Sequence, residues 1–146
     1  MTDHLPSVTI VRRIKAAPAK VWAAITQPEL MMQWWGPDAG PTLSVVADVH
    51  PGGRFNVVFR LLNGDEHNPT GIYREVVPEK TLSFTWDPPG TPERESLVTF
   101  RLEPFEGGTV LTLTHEHLPD EEARTSHEEG WKGLLDKLPV FLGDFE

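Results

Sequence analysis

Three histidines near the C-terminus have the greatest potential for chemistry in this chain. His115 and His117 are two positions apart in a segment that alternates like a β-strand, so both side chains should point to one side. His127 falls on the apolar side of the amphipathic segment that follows. Three imidazoles brought together could bind zinc, or could give and take a proton near neutral pH.

The alternative interpretation of these histidines is structural. His115 would then be a hydrogen-bonded wall of the interior, His117 a solvated strand end and His127 a partly exposed helix residue. No carboxylate stands at a spacing that completes a recognised metal site, and the chain has no cysteine. We therefore predict no metal and no cofactor, and we assign no catalytic residue.

Other catalytic signatures are not found in the sequence. The glycine pairs at 52–53 and 107–108 suit hairpin turns and do not form a phosphate-binding loop. The serines of the predicted strands do not lie in a nucleophile elbow. We therefore expect a binding protein rather than an enzyme.

Aromatic side chains fall on the inward faces of several predicted strands and of the last helix. Such a lining is typical of a mostly apolar pocket for a hydrophobic or aromatic small molecule, although the same residues could fill an ordinary core. The pattern leaves open whether Tyr73 or its neighbour Ile72 faces inward. The predicted ligand-binding residues are Trp35, Phe55, Phe59, Tyr73, Phe84, Trp86, Phe100, Leu113, His115, Trp131 and Leu135.

A long amphipathic helix, predicted over residues 120–138, must position the C-terminal members of this set. Acidic residues fill its first turn, as the helix dipole favours. Pro139 should either stop or kink the helix, because proline has no amide proton to donate. Its apolar stripe consists of Ala123, His127, Trp131, Leu134, Leu135 and Leu138.

Strands supply the surface on which this stripe can pack. Alternation predicts strands at 5–14, 42–50, 54–62, 70–77, 81–86, 96–103 and 109–117, with two short helices after the first strand. Leu43 is expected to face inward, and Ser83 and Thr85 to lie on a polar outer face. Short connections make consecutive strands antiparallel neighbours, so the fold class is α+β with the sheet covered on one side.

Composition limits the class of partner. The 146 residues predict a single domain over 1–146, and 13 basic against 22 acidic side chains give a net charge of −9, which argues against nucleic acid. No apolar run approaches the roughly 20 residues of a membrane span. Residues 1–6 do not resemble a signal peptide, and with no cysteine we expect a cytoplasmic protein.

Several short motifs occur along the chain in a specific order and spacing. They are Pro18-Ala19-Lys20-Val21-Trp22, Trp34-Trp35-Gly36-Pro37, Pro51-Gly52-Gly53-Arg54-Phe55, Gly71-Ile72-Tyr73-Arg74-Glu75, Leu82-Ser83-Phe84-Thr85-Trp86, residues 108–115 and Gly130-Trp131. Together they resemble the family of proteins related to the activator of the Hsp90 ATPase, within the START-like or SRPBCC superfamily. The resemblance extends from about residue 8 to residue 138 and implies a helix-grip fold, in which a curved antiparallel sheet wraps around the long C-terminal helix and encloses a cavity.

The resemblance implies a small hydrophobic molecule as the partner. It also implies two alternatives: an enzyme of the cyclase or hydrolase type that uses the same cavity, or a protein-interaction domain of the co-chaperone type with a role in stress response. The co-chaperone has an additional N-terminal domain that this sequence does not contain, so we do not expect a chaperone partner. A homodimer through a strand edge or a tryptophan patch stays open.

Overall fold

The computed structural model describes residues 6–34, 42–60, 64–86, 96–118 and 120–142, apart from the side chain of His67. Eight strands and three helices lie in these ranges. In chain order they are β1 (Val8–Ile14), α1 (Pro18–Thr26), α2 (Pro28–Trp34), β2 (Thr42–Ala47), β3 (Arg54–Arg60), β4 (Glu66–His67), β5 (Thr70–Val77), β6 (Thr81–Trp86), β7 (Ser96–Phe105), β8 (Gly108–Glu116) and α3 (Glu121–Phe141).

Seven of the strands form one antiparallel sheet in the order β1-β8-β7-β6-β5-β3-β2, and the two-residue β4 pairs with β3 off this path. The sheet curls into a half-barrel around α3, with α1 and α2 after the first strand. The predicted α+β helix-grip architecture is therefore confirmed. β4 is an addition that the alternation pattern did not predict, because two residues are too short to show a period.

The long helix forms as its sequence predicts. Asp120 is its N-cap, and its carboxylate accepts a hydrogen bond of 2.8 Å from the Ala123 amide. The four buried residues of the stripe are Trp131, Leu134, Leu135 and Leu138. Of the two outcomes expected at Pro139, the stop is wrong, since α3 continues to Phe141. Pro139 lies in the last turn of α3. The single hydrogen bond that its missing amide proton cannot make is therefore at the end of the helix, where its loss matters little.

Leu43 does not face inward as predicted, and His117 lies at a solvated strand end, which is one of the two interpretations that the sequence left open; each position has a local backbone cause. Leu43 is 37% exposed because the β2–β3 register shifts between Thr42 and Ser44, which takes one residue out of phase. His117 is exposed because β8 ends at Glu116 and His117 adopts a left-handed backbone conformation with a φ of 65°.

Ser83 and Thr85 lie on the face of β6 opposite Phe84, as predicted, but both are buried. The β5–β6 register shifts between Tyr73 and Glu75, which leaves backbone amides of β5 in need of acceptors. The Thr85 hydroxyl accepts from the Ile72 amide at 2.8 Å, and the Ser83 hydroxyl accepts from the Glu75 amide at 3.1 Å. The two hydroxyls thus complete the hydrogen bonding of an irregular strand.

No helix within the described ranges is long and apolar enough to cross a membrane.

Candidate functional site

Tyr73 lies on β5 with its ring on the inner face of the sheet. The structure decides the orientation that the sequence left open, because Tyr73 is 1% exposed and Ile72 is 36% exposed. The Tyr73 backbone bonds to Gly52 and Gly53 on one side, and Tyr73 is in register with Phe84 of β6 on the other. Strands on both sides therefore fix the position of this ring.

The Tyr73 hydroxyl is the unusual group in this interior. Among the side chains of the described residues, its Oη is the one buried polar atom without a hydrogen-bond partner. Burial raises the pKa of this phenol far above its usual value, and the negative charge of Asp48 raises it further. The hydroxyl is therefore protonated at every physiological pH and can donate a hydrogen bond.

Gly71 is the cross-strand partner of Phe55, so no side chain covers β5 at that point. The Phe55 ring stacks on Phe84 at 4.6 Å between centroids and lies 5.9 Å from Trp86. A side chain at position 71 would also collide with the Thr85 carbonyl oxygen, which lies 1.8 Å from an ideal Cβ.

The aromatic lining continues from the sheet onto α3. Trp86 of β6 lies 5.1 Å from Trp131 of α3, and Phe100 of β7 meets the Trp131 ring edge-on at 6.2 Å. Phe84 and Phe100 are 6.2 Å apart and connect the two groups of rings. The result is one continuous aromatic surface between the curled sheet and the helix, and the partly buried Trp86 lies on it.

His115 is held by a chain of hydrogen bonds at the α3 side of this surface. Trp131 Nε1 donates to His115 Nδ1 at 2.9 Å, and His115 Nε2 is 2.7 Å from the Ser96 Oγ. Because an indole nitrogen can only donate, Nδ1 is the acceptor and Nε2 carries the proton of the neutral ring. Ser96 Oγ therefore accepts from Nε2 and donates to the Trp86 carbonyl at 3.1 Å.

This environment keeps His115 neutral. Burial lowers the pKa of its imidazole to about 3, and the nearby His127 lowers it in the same direction. A protonated ring would also lose the lone pair that accepts from Trp131. His115 is thus an ordered, uncharged wall of the interior, as the structural interpretation of the sequence expects.

Only two of the three histidines come together. The His115 and His127 rings meet edge-on at 4.9 Å, and His127 Nδ1 donates to the Ala123 carbonyl at 2.7 Å. His117 is exposed beyond the end of β8. Across the described part of the chain, no group of three or more His, Cys, Asp or Glu side chains is arranged to hold a metal.

A separate groove of about 400 Å³ lies at the ends of β6, β7 and β8. Its lining combines polar and apolar surface, and one lining residue, Ser96, also bonds to His115. The lining residues are Arg74, Thr85, Ser96, Leu97 and His117.

Ten of the eleven predicted ligand-binding residues lie in the interior, and Trp35 falls outside the described residues. Whether they contact a ligand stays a prediction. The sequence reasoning did not single out Ser96 or Gly71. Ser96 has the same phase as Val98 and Phe100, which could have shown that it faces inward. Nothing in the sequence shows which residue lies opposite Gly71.

The family model described as "Activator of Hsp90 ATPase homolog 1-like protein" matches residues 15–143. The AHSA1 protein from Silicibacter pomeroyi is 29% identical, with 94% of this chain and 98% of that chain covered and a TM-score of 0.83. CalU16 from Micromonospora echinospora is 28% identical over 93% of this chain and 75% of that chain, with a TM-score of 0.73.

A protein from Chromobacterium violaceum, at 24% identity and a TM-score of 0.83 over 93% of this chain and 96% of that chain, shares the fold. No curated protein matches the chain.

Proposed function

This chain belongs to the family of activator of Hsp90 ATPase homolog 1-like proteins, and on that basis we propose that it binds a hydrophobic or aromatic small molecule between the curled sheet and α3. Sheets curled in this way commonly bind hydrophobic ligands. The observation that carries the proposal in this chain is the buried, unpaired hydroxyl of Tyr73.

An unpaired buried hydroxyl is rare in folded proteins. More than about 90% of buried polar groups have a partner, and leaving one without a partner costs about 1–3 kcal/mol. Among the described residues, the buried polar side chains of Ser83, Thr85, Ser96 and His115 all have hydrogen-bond partners. A ligand atom that accepts a hydrogen bond from the Tyr73 hydroxyl would remove this energetic cost. The unpaired hydroxyl would then serve to bind the ligand.

The walls around Tyr73 have the character that a hydrophobic ligand needs. Phe55, Phe84, Trp86, Phe100 and Trp131 present ring faces and edges to the same interior. Such walls bind a ligand by removing apolar surface from water, and a few polar groups then orient it. His115 does not support acid–base catalysis, because both of its ring nitrogens are already paired. The cysteine-free sequence fits binding in a reducing cytoplasm.

Native mass spectrometry of the freshly purified protein tests this function. We expect a noncovalent adduct of a few hundred daltons that disappears in the denatured mass. The neutral dye Nile red serves as a second probe, and its fluorescence should rise on addition of folded protein and fall when the co-purified ligand is added back. Val11→Ala, a change at a 53% exposed position of β1, is the matched control and should leave both signals unchanged. A clean apo mass together with no Nile red binding would rule out the proposal.

A further inference from the structure

We infer that the ligand is an uncharged, largely aromatic molecule that presents a hydrogen-bond-accepting oxygen, of the kind found in an aryl ketone or quinone, to Tyr73 Oη. This inference rests on the proposed function and narrows its ligand class.

The Tyr73 hydroxyl indicates that the ligand atom in contact with it is a hydrogen-bond acceptor. Tyr73 Oη is buried and makes no hydrogen bond to any described residue. The negative charge of Asp48 opposes ionisation of the phenol, in the same direction as burial does. A phenol that stays protonated has a proton to donate, and a carbonyl oxygen is a strong acceptor for it.

The polar side chains of the interior also indicate that the ligand is uncharged. The buried polar side chains of the described ranges are Ser83, Thr85, Ser96, Thr99, Thr109 and His115, and none of them is a Lys, Arg, Asp or Glu. His115 is neutral because its Nδ1 accepts from Trp131. A carboxylate or phosphate would enter this interior with no countercharge, and an ammonium group would likewise find none, so both are strongly disfavoured.

Several other buried donors already have hydrogen-bond partners within the protein. Trp131 Nε1 donates to His115, and Trp34 Nε1 donates to the Ala24 carbonyl. Thr109 Oγ1 donates to the Ala16 carbonyl. These donors are already engaged within the protein, whereas the Tyr73 hydroxyl is not. Recognition of the ligand's polar group should therefore depend mainly on the Tyr73 hydroxyl.

The rings next to Tyr73 favour a planar aromatic ligand. Phe55 and Phe84 contact the Tyr73 ring edge-on, at centroid distances of 6.1 and 5.7 Å. Phe84 and Trp86 are tilted towards each other at 6.3 Å. Aromatic pairs prefer such stacked and edge-on arrangements, and a flat ring system can join them with the same geometry.

Three probes that share the fluorene ring system test the inference: 9-fluorenone, which has a carbonyl; fluorene, which has none; and fluorene-9-carboxylate, which is anionic. Their affinities are measured by quenching of tryptophan fluorescence and by calorimetry, with wild type and Tyr73→Phe. We expect wild type to bind fluorenone on the order of tenfold more tightly than fluorene, and the carboxylate far more weakly than either. Tyr73→Phe should abolish the preference for fluorenone and leave the affinity for fluorene unchanged.

The infrared carbonyl stretch of bound fluorenone gives a second readout, which should lie at lower wavenumber in wild type than in Tyr73→Phe. Equal wild-type affinities for fluorenone and fluorene, or tighter binding of the carboxylate, would overturn the inference and leave the proposed binding function standing. If no probe binds and the purified protein contains no adduct, the proposed function fails, and the inference fails with it. The wild-type comparison of the three probes decides the question even if Tyr73→Phe does not fold.

Discussion

At the scale of single residues, Tyr73 and His115 are opposite cases of a buried polar group. The Tyr73 hydroxyl is buried without a partner, whereas both nitrogens of His115 are paired. An unpaired buried group lowers stability and a paired one does not. Removing the Tyr73 hydroxyl and removing a hydrogen-bond partner of His115 should therefore change the free energy of unfolding in opposite directions.

Tyr73→Phe removes the unpaired hydroxyl and keeps the ring. We expect the free energy of unfolding of the ligand-free protein to rise by about 1 kcal/mol, measured by urea denaturation. Trp131→Phe is the contrasting change, because it removes a donor that is paired and leaves His115 Nδ1 without a partner. That variant should lose about 1–3 kcal/mol, and a Tyr73→Phe variant less stable than wild type would contradict the prediction.

His115 should make stability depend on pH below neutrality. Its pKa is about 3 in the folded protein and near the ordinary 6.5 when unfolded. Below pH 6.5 the unfolded chain takes up a proton that the folded protein does not, so this contribution is complete above pH 6.5 and falls towards pH 3. Between pH 6 and 4, wild type should lose about 1 kcal/mol per pH unit more than His115→Gln, which does not titrate.

His50 provides the control of opposite sign. The pKa of this exposed imidazole is raised mainly by its hydrogen bond to the Pro51 carbonyl and, to a smaller extent, by the nearby Asp48 carboxylate. Its small stabilising contribution is therefore present below pH 6.5 and is lost as the pH rises through its folded pKa. His50→Gln should not reduce the acid sensitivity of the protein. Denaturation series at several pH values would measure both variants, and equal acid slopes for wild type and His115→Gln would contradict the assignment of His115.

At the scale of secondary-structure elements, β5 depends on the absence of a side chain at Gly71. Gly71→Ala would place a Cβ 1.8 Å from the Thr85 carbonyl oxygen, so β5 and β6 would have to move apart. We expect a loss of about 2–3 kcal/mol in the free energy of unfolding. Gly64→Ala is the comparison, since its Cβ meets nothing within 4 Å and only its positive φ of 96° is unfavourable. The Gly64 variant should lose about 1 kcal/mol, and an equal loss at both positions would argue against the clash.

The start of α3 depends on the Asp120 cap. Asp120→Ala removes the acceptor for the Ala123 amide and should reduce the free energy of unfolding by about 1 kcal/mol. Asp120→Asn keeps an acceptor oxygen at the same place and should behave nearly like wild type. Thermal denaturation followed by circular dichroism would compare them, and a loss as large in Asp120→Asn as in Asp120→Ala would assign the effect to charge.

The elements also show where prediction from sequence works. Phe55, Val57 and Phe59 alternate regularly in β3 and are all buried, because a regular strand converts sequence period directly into a face. Leu43 was placed wrongly because a one-residue shift in register leaves no mark in composition. Tyr73 could not be oriented because both faces of β5 mix apolar and polar residues, and the neighbouring Phe55 and Phe84 decide the matter in three dimensions. That the Tyr73 hydroxyl has no hydrogen-bond partner is likewise visible only in the three-dimensional structure.

At the scale of the whole molecule, the aromatic surface joins the sheet to α3 and should make unfolding a single event. Tryptophans in α1, α2, β6 and α3 report on separate parts of the molecule: Trp22, Trp34, Trp86 and Trp131. We expect the fluorescence transition in urea to coincide with the circular dichroism transition at 222 nm, as two-state unfolding requires. A loss of helical signal before the fluorescence change would show that α3 leaves the sheet independently.

The strand order has a consequence for how the protein is made. β1 pairs along its whole length with β8, from Val8 opposite His115 to Ile14 opposite Thr109, so the first strand synthesised waits for a partner that leaves the ribosome roughly a hundred residues later. At about 5–20 residues per second this interval lasts about 5–20 s, during which Val8, Ile10 and Ile14 have no strand to cover them. Closure of the sheet therefore has to wait for the synthesis of β8, and the nascent chain is exposed to aggregation until then.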